Sequence, residues 1–230
     1  MAQTWIDLLF MHWPVPVEVL RSLIPEPLEI DAFDGVGWIG VVPFGMVDVH
    51  FKHLPPIPFM SNFLELNVRS YVKWREKSGL YFFSLDATNP LAVEAARLWY
   101  CLPYYHAQMS KSQQNNAIHY ACERSDSRGR KGELEVVYRP TGNPYVAKKK
   151  SLESWLTERY CFFTLDKYNQ VVTGEVHHKP WPLQQANAEI RTNTMAKAAG
   201  ISLPDEKPLL HFVRKLETIE WAIHAEDNSE

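Results

Sequence analysis

Along FLELNVRSYVK, residues 63 to 73, alternate positions carry groups that can do chemistry. Side chains of a strand point to opposite faces with a period of two. One face presents Leu64, Leu66, Val68 and Val72; the other presents Phe63, Glu65, Asn67, Arg69, Tyr71 and Lys73. If the second face meets water, this is an ordinary half-exposed strand. If the sheet closes with that face inside, a carboxylate, an amide, a guanidinium and a phenol share one cavity. Arg69 would then hold a carboxylate or another oxyanion in its planar fork. Glu65 would act as acid or base once burial raises its pKa, and Asn67 and Tyr71 would add polar contacts. Glu65 and Arg69 lie roughly 13 Å apart along the strand axis. Buried charges must be paired or serve a ligand, and Arg97, Glu158, Arg159 and one of His177 or His178 are the partners expected from across the sheet.

The other chemistry-bearing residues have two readings each. His177 and His178 are adjacent, so on a strand they point apart and cannot both ligate one ion; one of them is expected to face inward. Trp181, after Pro180, either closes the mouth of a pocket or belongs to the core. Arg159 either reaches the cavity or bonds the carbonyls that end a helix. His50 and His53 form a lone pair beside a proline loop, and no metal site is expected there or elsewhere. No cofactor motif stands in a credible context: GxSxG, HExxH, the P-loop and GxGxxG are all missing.

Strands must position these residues. Residues 5–12, 36–51, 63–74, 80–87, 105–109, 117–123, 133–140, 160–166, 171–178 and 211–224 read as strands, with the glycines of 36–51 marking bulges or corners. REKSG, after Trp74, reads as a hairpin turn, and HLPPIP, 53–58, as a proline-stiffened loop. A short helix is expected after Pro14, ending before Pro25. A second begins at Asn89-Pro90, a polar cap followed by proline, and runs to about Tyr100 with Leu91, Ala95, Leu98 and Trp99 as its apolar stripe. A third spans 151–159. With no repeat or linker, 1–230 reads as one mainly β (α+β) domain, a large barrel or double sheet able to enclose a ligand.

Composition narrows the class. The chain has 46% hydrophobic and 22% charged residues and a net charge of −3, the balance of a soluble globular protein. Phosphate binding needs concentrated Lys and Arg, so nucleic acid is not an expected partner; Lys148–Lys150 reads as a solvated turn. Cys101, Cys122 and Cys161 are odd in number and scattered, which suits a reducing cytoplasm. Without a signal-like start or a long apolar run, a cytoplasmic location and no membrane partner are expected.

LRSLIPEPLEID, residues 20 to 31, and YFFSLDATNPLAVEAARLWYCLPYY, residues 81 to 105, resemble segments of the acetoacetate decarboxylases. ELNVRSYV, LYFFSLDA, LTERY and HHKPW carry a nearer resemblance, over nearly the whole chain, to the YqjF-like family of bacterial proteins. The resemblance implies the decarboxylase-like fold, a closed, cone-shaped β-barrel with a few short helices outside, and makes self-association into a homo-oligomer plausible. The decarboxylases form an imine on a lysine whose pKa is lowered by its surroundings. The positions matching that lysine pair, after Pro103, hold Tyr104 and Tyr105, and a phenol cannot form an imine. The family's arginine on the first strand is also missing, with Trp5 and Ile6 in its neighbourhood; only the acidic residue survives, as Glu65. Imine-forming decarboxylation is therefore disfavoured. Two functions remain. In one, the cavity binds a small acidic or oxo-group molecule, with Tyr104 and Tyr105 donating to a carbonyl or enolate beside Glu65. In the other, the chain is a non-catalytic sensing or structural module whose internal polar network is satisfied.

Overall fold

The computed structural model describes residues 1–50 and 61–225. The proline-stiffened loop at 53–58, His53 and the expected strand end at Phe51 lie outside these residues. In chain order the described elements are β1 (Ala2–Val15), α1 (Val17–Arg21), β2 (Glu29–Ile30), β3 (Gly37–His50), β4 (Phe63–Trp74), β5 (Lys77–Ala87), α2 (Pro90–Tyr100), β6 (Tyr104–Gln114), β7 (Ala117–Arg124), β8 (Glu133–Tyr145), α3 (Leu152–Thr157), β9 (Cys161–Leu165), β10 (Val171–His178), β11 (Leu183–Asn193), α4 (Met195–Ala198), β12 (Leu209–Glu220) and β13 (His224–Ala225). All the strands join one sheet. That sheet curls into a cone because β5 pairs with β4 as well as β6, and β10 pairs with β12 as well as β9. The mainly β class and the cone with short helices thus match the sequence reading. No described helix is long and apolar enough to cross a membrane, a finding that leaves membrane β-barrels untouched.

Local chemistry explains the positioning elements. β4 has the expected bounds and is followed by a tight turn in which Arg75 takes a positive φ of 54°. Both of its faces are buried, so it is not a half-exposed strand. Leu66, Val68 and Val72 join the large core between sheet and helices, while Glu65, Asn67 and Arg69 face the inside of the cone. β5 and β6 run parallel, which demands a crossover, and α2 supplies it. Asn89 caps α2, its Oδ1 accepting from the Leu91 and Ala92 amides at 3.1 and 3.2 Å. Cys101 ends the helix in the left-handed region at φ 53°.

Three expectations need correction. The stripe assigned to α2 faces outward: Leu91, Leu98 and Trp99 are 61%, 75% and 55% exposed, and Val93 is the buried residue. The helix packs on the wall through Val93, with Ala96 and Tyr100 partly buried beside it, while Leu91 and Trp99 border a wider apolar hollow. β11 adds a strand beyond those expected, since LQQANAEIRTN is mostly polar; its Ala186, Ala188 and Ile190 nonetheless alternate onto the core. Finally, β1 is longer than its aromatic run and is kinked at Asp7, which has φ 53°. The register of β1 against β3 shifts between Ile6 and Met11, while its register against β12 runs unbroken on both sides of Asp7. Lys148–Lys150 do form an exposed turn.

Candidate functional site

Inside the cone lies a cavity of about 90 Å³, which is about three times a water molecule's share of the liquid. The space is smaller than a typical ligand pocket. Its walls come from β1 (Trp5, Leu8), β3 (Val42, Phe44) and β4 (Glu65, Asn67, Arg69), closed by Tyr104, Arg159 and Trp181 among others. Towards α2 it shares Met46, Tyr100, Tyr104 and Glu220 with a wider apolar hollow of about 560 Å³.

The two ends of the β4 face differ. At one end the Tyr104 hydroxyl donates to Glu65 Oε2 at 2.8 Å. Burial is the main force on Glu65, and the charges of Glu220 and Asp86 add to it. Together they outweigh the Tyr104 bond and push its pKa up to about 8. Glu65 is therefore a neutral acid at neutral pH. Glu220, bonded by the Gln3 amide at 2.6 Å, is raised to about 6, again mainly by burial.

At the other end Arg69 is buried with no carboxylate in salt-bridge range among the described residues, and its Nε and Nη2 lack hydrogen-bond partners. Its guanidinium lies 5.2 Å from the Phe10 ring, and burial lowers its pKa. An arginine nevertheless stays charged in a protein. Gly40 sits opposite both His12 and Arg69 in the ladder. A Cβ there would come within 3.2 Å of the His12 ring and 3.4 Å of Arg69 Cγ, so the glycine makes the room that Arg69 occupies.

A second layer surrounds Arg69. The Tyr71 hydroxyl donates to the Leu156 carbonyl at 2.9 Å and lies 2.7 Å from His12 Nε2. One hydroxyl has one proton, so His12 donates from Nε2. Burial, Arg69 and His211 all hold His12 below its usual pKa, which keeps the ring neutral. Arg159 has a carboxylate: Nη1 donates to Asp31 Oδ2 at 2.6 Å. Its Nε bonds the Trp155 carbonyl of α3 at 2.8 Å. Both readings of Arg159 therefore hold, since it caps helix carbonyls and also lines the cavity. Trp181 likewise is both core and wall, stacked on Trp5 at 5.7 Å.

Glu65, Asn67, Arg69, Tyr104, Arg159 and Trp181 thus meet at one cavity, with Tyr71 just behind. Tyr105, Arg97, His177 and His178 do not line it. Tyr105 follows Tyr104 on a strand and so points the other way, with the Arg124 guanidinium 4.3 Å from its ring. Arg97 lies on the helix side and donates to the Tyr104 carbonyl at 2.7 Å. His177 is exposed beside Trp221. His178 is the inward one of the pair but packs behind the wall, against Tyr160 and Trp181. Glu158 bonds the Trp181 amide at 3.0 Å rather than Arg69. Sequence reading missed Trp5, Glu220 and Tyr100 as wall residues and Asp31 and His12 as second-layer ones. Glu220 carried a faint signal, an acid ending the face that holds Leu216 and Thr218, both buried.

Among the described residues no lysine lines the cavity; Lys111 pairs with Asp7 at 2.7 Å. No group of three or more metal-ligating side chains forms among them either.

Comparison with known proteins agrees with this fold. The DUF2071 family model, described as an uncharacterized conserved protein, matches residues 2–217. The chain is 44% identical over 223 residues to the uncharacterized protein YqjF of Bacillus subtilis, covering 97% of this chain and 91% of that one. Among solved structures, acetoacetate decarboxylase from Legionella pneumophila superposes with a TM-score of 0.65 at 10% identity, over 100% of this chain and 89% of that one. The enduracididine biosynthesis enzyme MppR complexed with pyruvate gives 0.66 at 10% identity, over 99% and 91%. At such identities the structural likeness speaks for the fold alone.

Proposed function

Since this chain belongs to the DUF2071 family and folds as the acetoacetate decarboxylases do, we propose that its cavity binds a small carboxylic acid bearing an oxo group, anchored by Arg69. The single observation behind this is the buried guanidinium without a carboxylate. A buried charge is costly unless something pairs with it, and a carboxylate fits the planar fork of an arginine with two parallel bonds. The volume of about 90 Å³ sets the ligand's size at a few heavy atoms. Pyruvate, the ligand of the MppR complex, has that size and charge.

Bound this way, the acid is held by ion pairing and hydrogen bonds, without a covalent imine. Tyr104 stands at the matching lysine position, and its hydroxyl proton is directed to Glu65. Glu65 offers an acid or base to the ligand, while Trp5, Phe44 and Trp181 keep water away. The competing view, a module with a satisfied internal network, suits Arg159 and Tyr71, which have Asp31 and Leu156 as partners. It leaves Arg69 without a role.

The test is a thermal-shift and calorimetric titration with pyruvate and acetoacetate, on wild type and on Arg69→Met. A ligand at about 100 times its Kd stabilises the folded state by about 2.7 kcal/mol, and that gain is expected in wild type alone. Equal stabilisation of both proteins, or none in either, rejects the site. Borohydride treatment with the same acids should leave no covalent adduct; a stable adduct would restore the imine route.

A further inference from the structure

The carboxylate site gives Arg69 a role and leaves the opposite end of the same strand face without one. Building on that reading, we propose that Glu65, as a carboxylic acid, is the specificity-determining residue of the cavity: it donates a hydrogen bond to the oxo group of the bound acid, so that ligand and proton are held together.

The geometry points this way on three counts. First, Glu65 and Arg69 share one inward face and one cavity, so a ligand on Arg69 extends towards Glu65. Roughly 13 Å of strand separates the two positions, a gap that two long side chains and a short acid can fill. Second, Tyr104 occupies Oε2 of Glu65 as a donor, which leaves Oε1 to carry the acid's own proton. A protonated carboxyl has one O–H to donate, and an oxo oxygen accepts it. Third, the charged groups facing Glu65 do not help it ionise. Glu220 of β12 and Asp86 of β5 both oppose its charge, and Asp86 is already paired with Arg124 of β7.

The remaining titratable neighbours are poor counter-charges. The phenols of Tyr104 and Tyr100 line the cavity with pKa values raised by burial, and the Tyr120 hydroxyl is committed to the Glu65 carbonyl at 2.8 Å. Arg159 is paired with Asp31, and the Met1 amino group bonds the Glu220 carbonyl at 2.5 Å. Arg69, on the same strand, is the charge that the ligand itself takes up. Once Glu65 ionises, its negative charge sits in the anion's own cavity and the donor to the oxo group is gone. Binding and protonation are then linked: Glu65 takes up a proton from solvent whenever the ligand binds above the acid's pKa of about 8.

Calorimetric titration of wild type and Glu65→Gln, across pH and with matched pairs of acids, decides it. Pyruvate, acetoacetate and levulinate are each compared with the alkanoate that lacks the oxo group. A site built to hydrogen-bond a group discriminates strongly against the analogue lacking it, so wild type should prefer the oxo acid by at least about tenfold. Its Kd should weaken by about tenfold per pH unit above about pH 8. Titrations in buffers of different ionisation heat should register proton uptake there. Glu65→Gln keeps a donor but cannot ionise; it should keep the oxo preference and lose both the pH dependence and the proton uptake. Wild-type binding that is level through this range, or indifferent to the oxo group, overturns the proposal, and neither measurement needs the variant to fold. Binding that depends on Arg69 but shows neither effect removes this inference alone. Binding that ignores Arg69→Met removes the carboxylate site and this inference with it.

Discussion

Arg124 and Arg69 are both buried in the wall of the cone, yet they sit in opposite electrostatic situations. Arg124 grips Asp86 with two bonds, Nε to Oδ1 at 2.6 Å and Nη2 to Oδ2 at 2.7 Å, and its third arm reaches the Arg130 carbonyl at 3.1 Å. Arg69 faces the cavity with no acid of the described residues in reach. The consecutive residues Tyr104 and Tyr105 divide between these sites. Tyr105 lies under Arg124, and Tyr104 reaches into the cavity to Glu65. A buried arginine with its own bidentate carboxylate is part of the scaffold, because every charge is answered within the chain. A buried arginine without one leaves binding capacity for something else.

The contrast is sharpest in stability. Asp86→Ala strands the Arg124 charge in the wall and should cost about 3–5 kcal/mol in urea unfolding. Arg69→Met removes a charge that has no carboxylate among the described residues and should be neutral or stabilising in the absence of ligand. Comparable losses in the two variants would mean that Arg69 is answered from within and would collapse the distinction.

Next in size is the acid at the opposite end. Glu65 has a pKa of about 8 in the folded protein against an ordinary value near 4.3 in an unfolded chain. Between those values the native state holds a proton that the unfolded state has released, so stability falls as pH rises from one to the other. Glu65→Gln should remove that decline, its advantage over wild type growing with pH to a few kcal/mol near pH 8 and then levelling. Thermal unfolding across pH reads this directly, and parallel curves for the two proteins would show Glu65 ionised in the fold.

The tyrosines give the smallest effects. Tyr105→Leu should cost about 1 kcal/mol through the lost cation–π contact with Arg124. Tyr104→Phe removes the donor that favours the Glu65 carboxylate, so the Glu65 titration should move further upward, as followed by the carboxyl signal in carbon NMR. A downward move would mean that Tyr104 receives a proton from Glu65 rather than giving one.

Much of the framework was legible along the chain. The bounds of β4 follow from its alternation, and α2 begins where Asn89 and Pro90 require. The outward turn of the α2 stripe was not legible, because periodicity marks an apolar face without saying whether anything covers it. Within the site, the reading of Glu65, Asn67 and Arg69 as one facing set came from strand period alone. Tyr104 and Tyr105 could not be told apart before the register of β6 was known. Trp5 and Glu220 were hidden for a related reason: the kink at Asp7 and the pairing of β1 with β12 decide which way their ends point.

By itself the sequence determined where elements such as β4 and α2 begin, since caps, prolines and alternation act over a few residues. It also determined that one strand face would carry an acid, an amide and a guanidinium. The tertiary structure alone decided that this face is the inner one, and which buried charges are answered. Those pairings join residues far apart in the chain, such as Tyr104 to Glu65 across 39 positions and Arg159 to Asp31 across 128. Electrostatic pairing and burial depend on distance in space, and only the closing of the sheet brings such residues together.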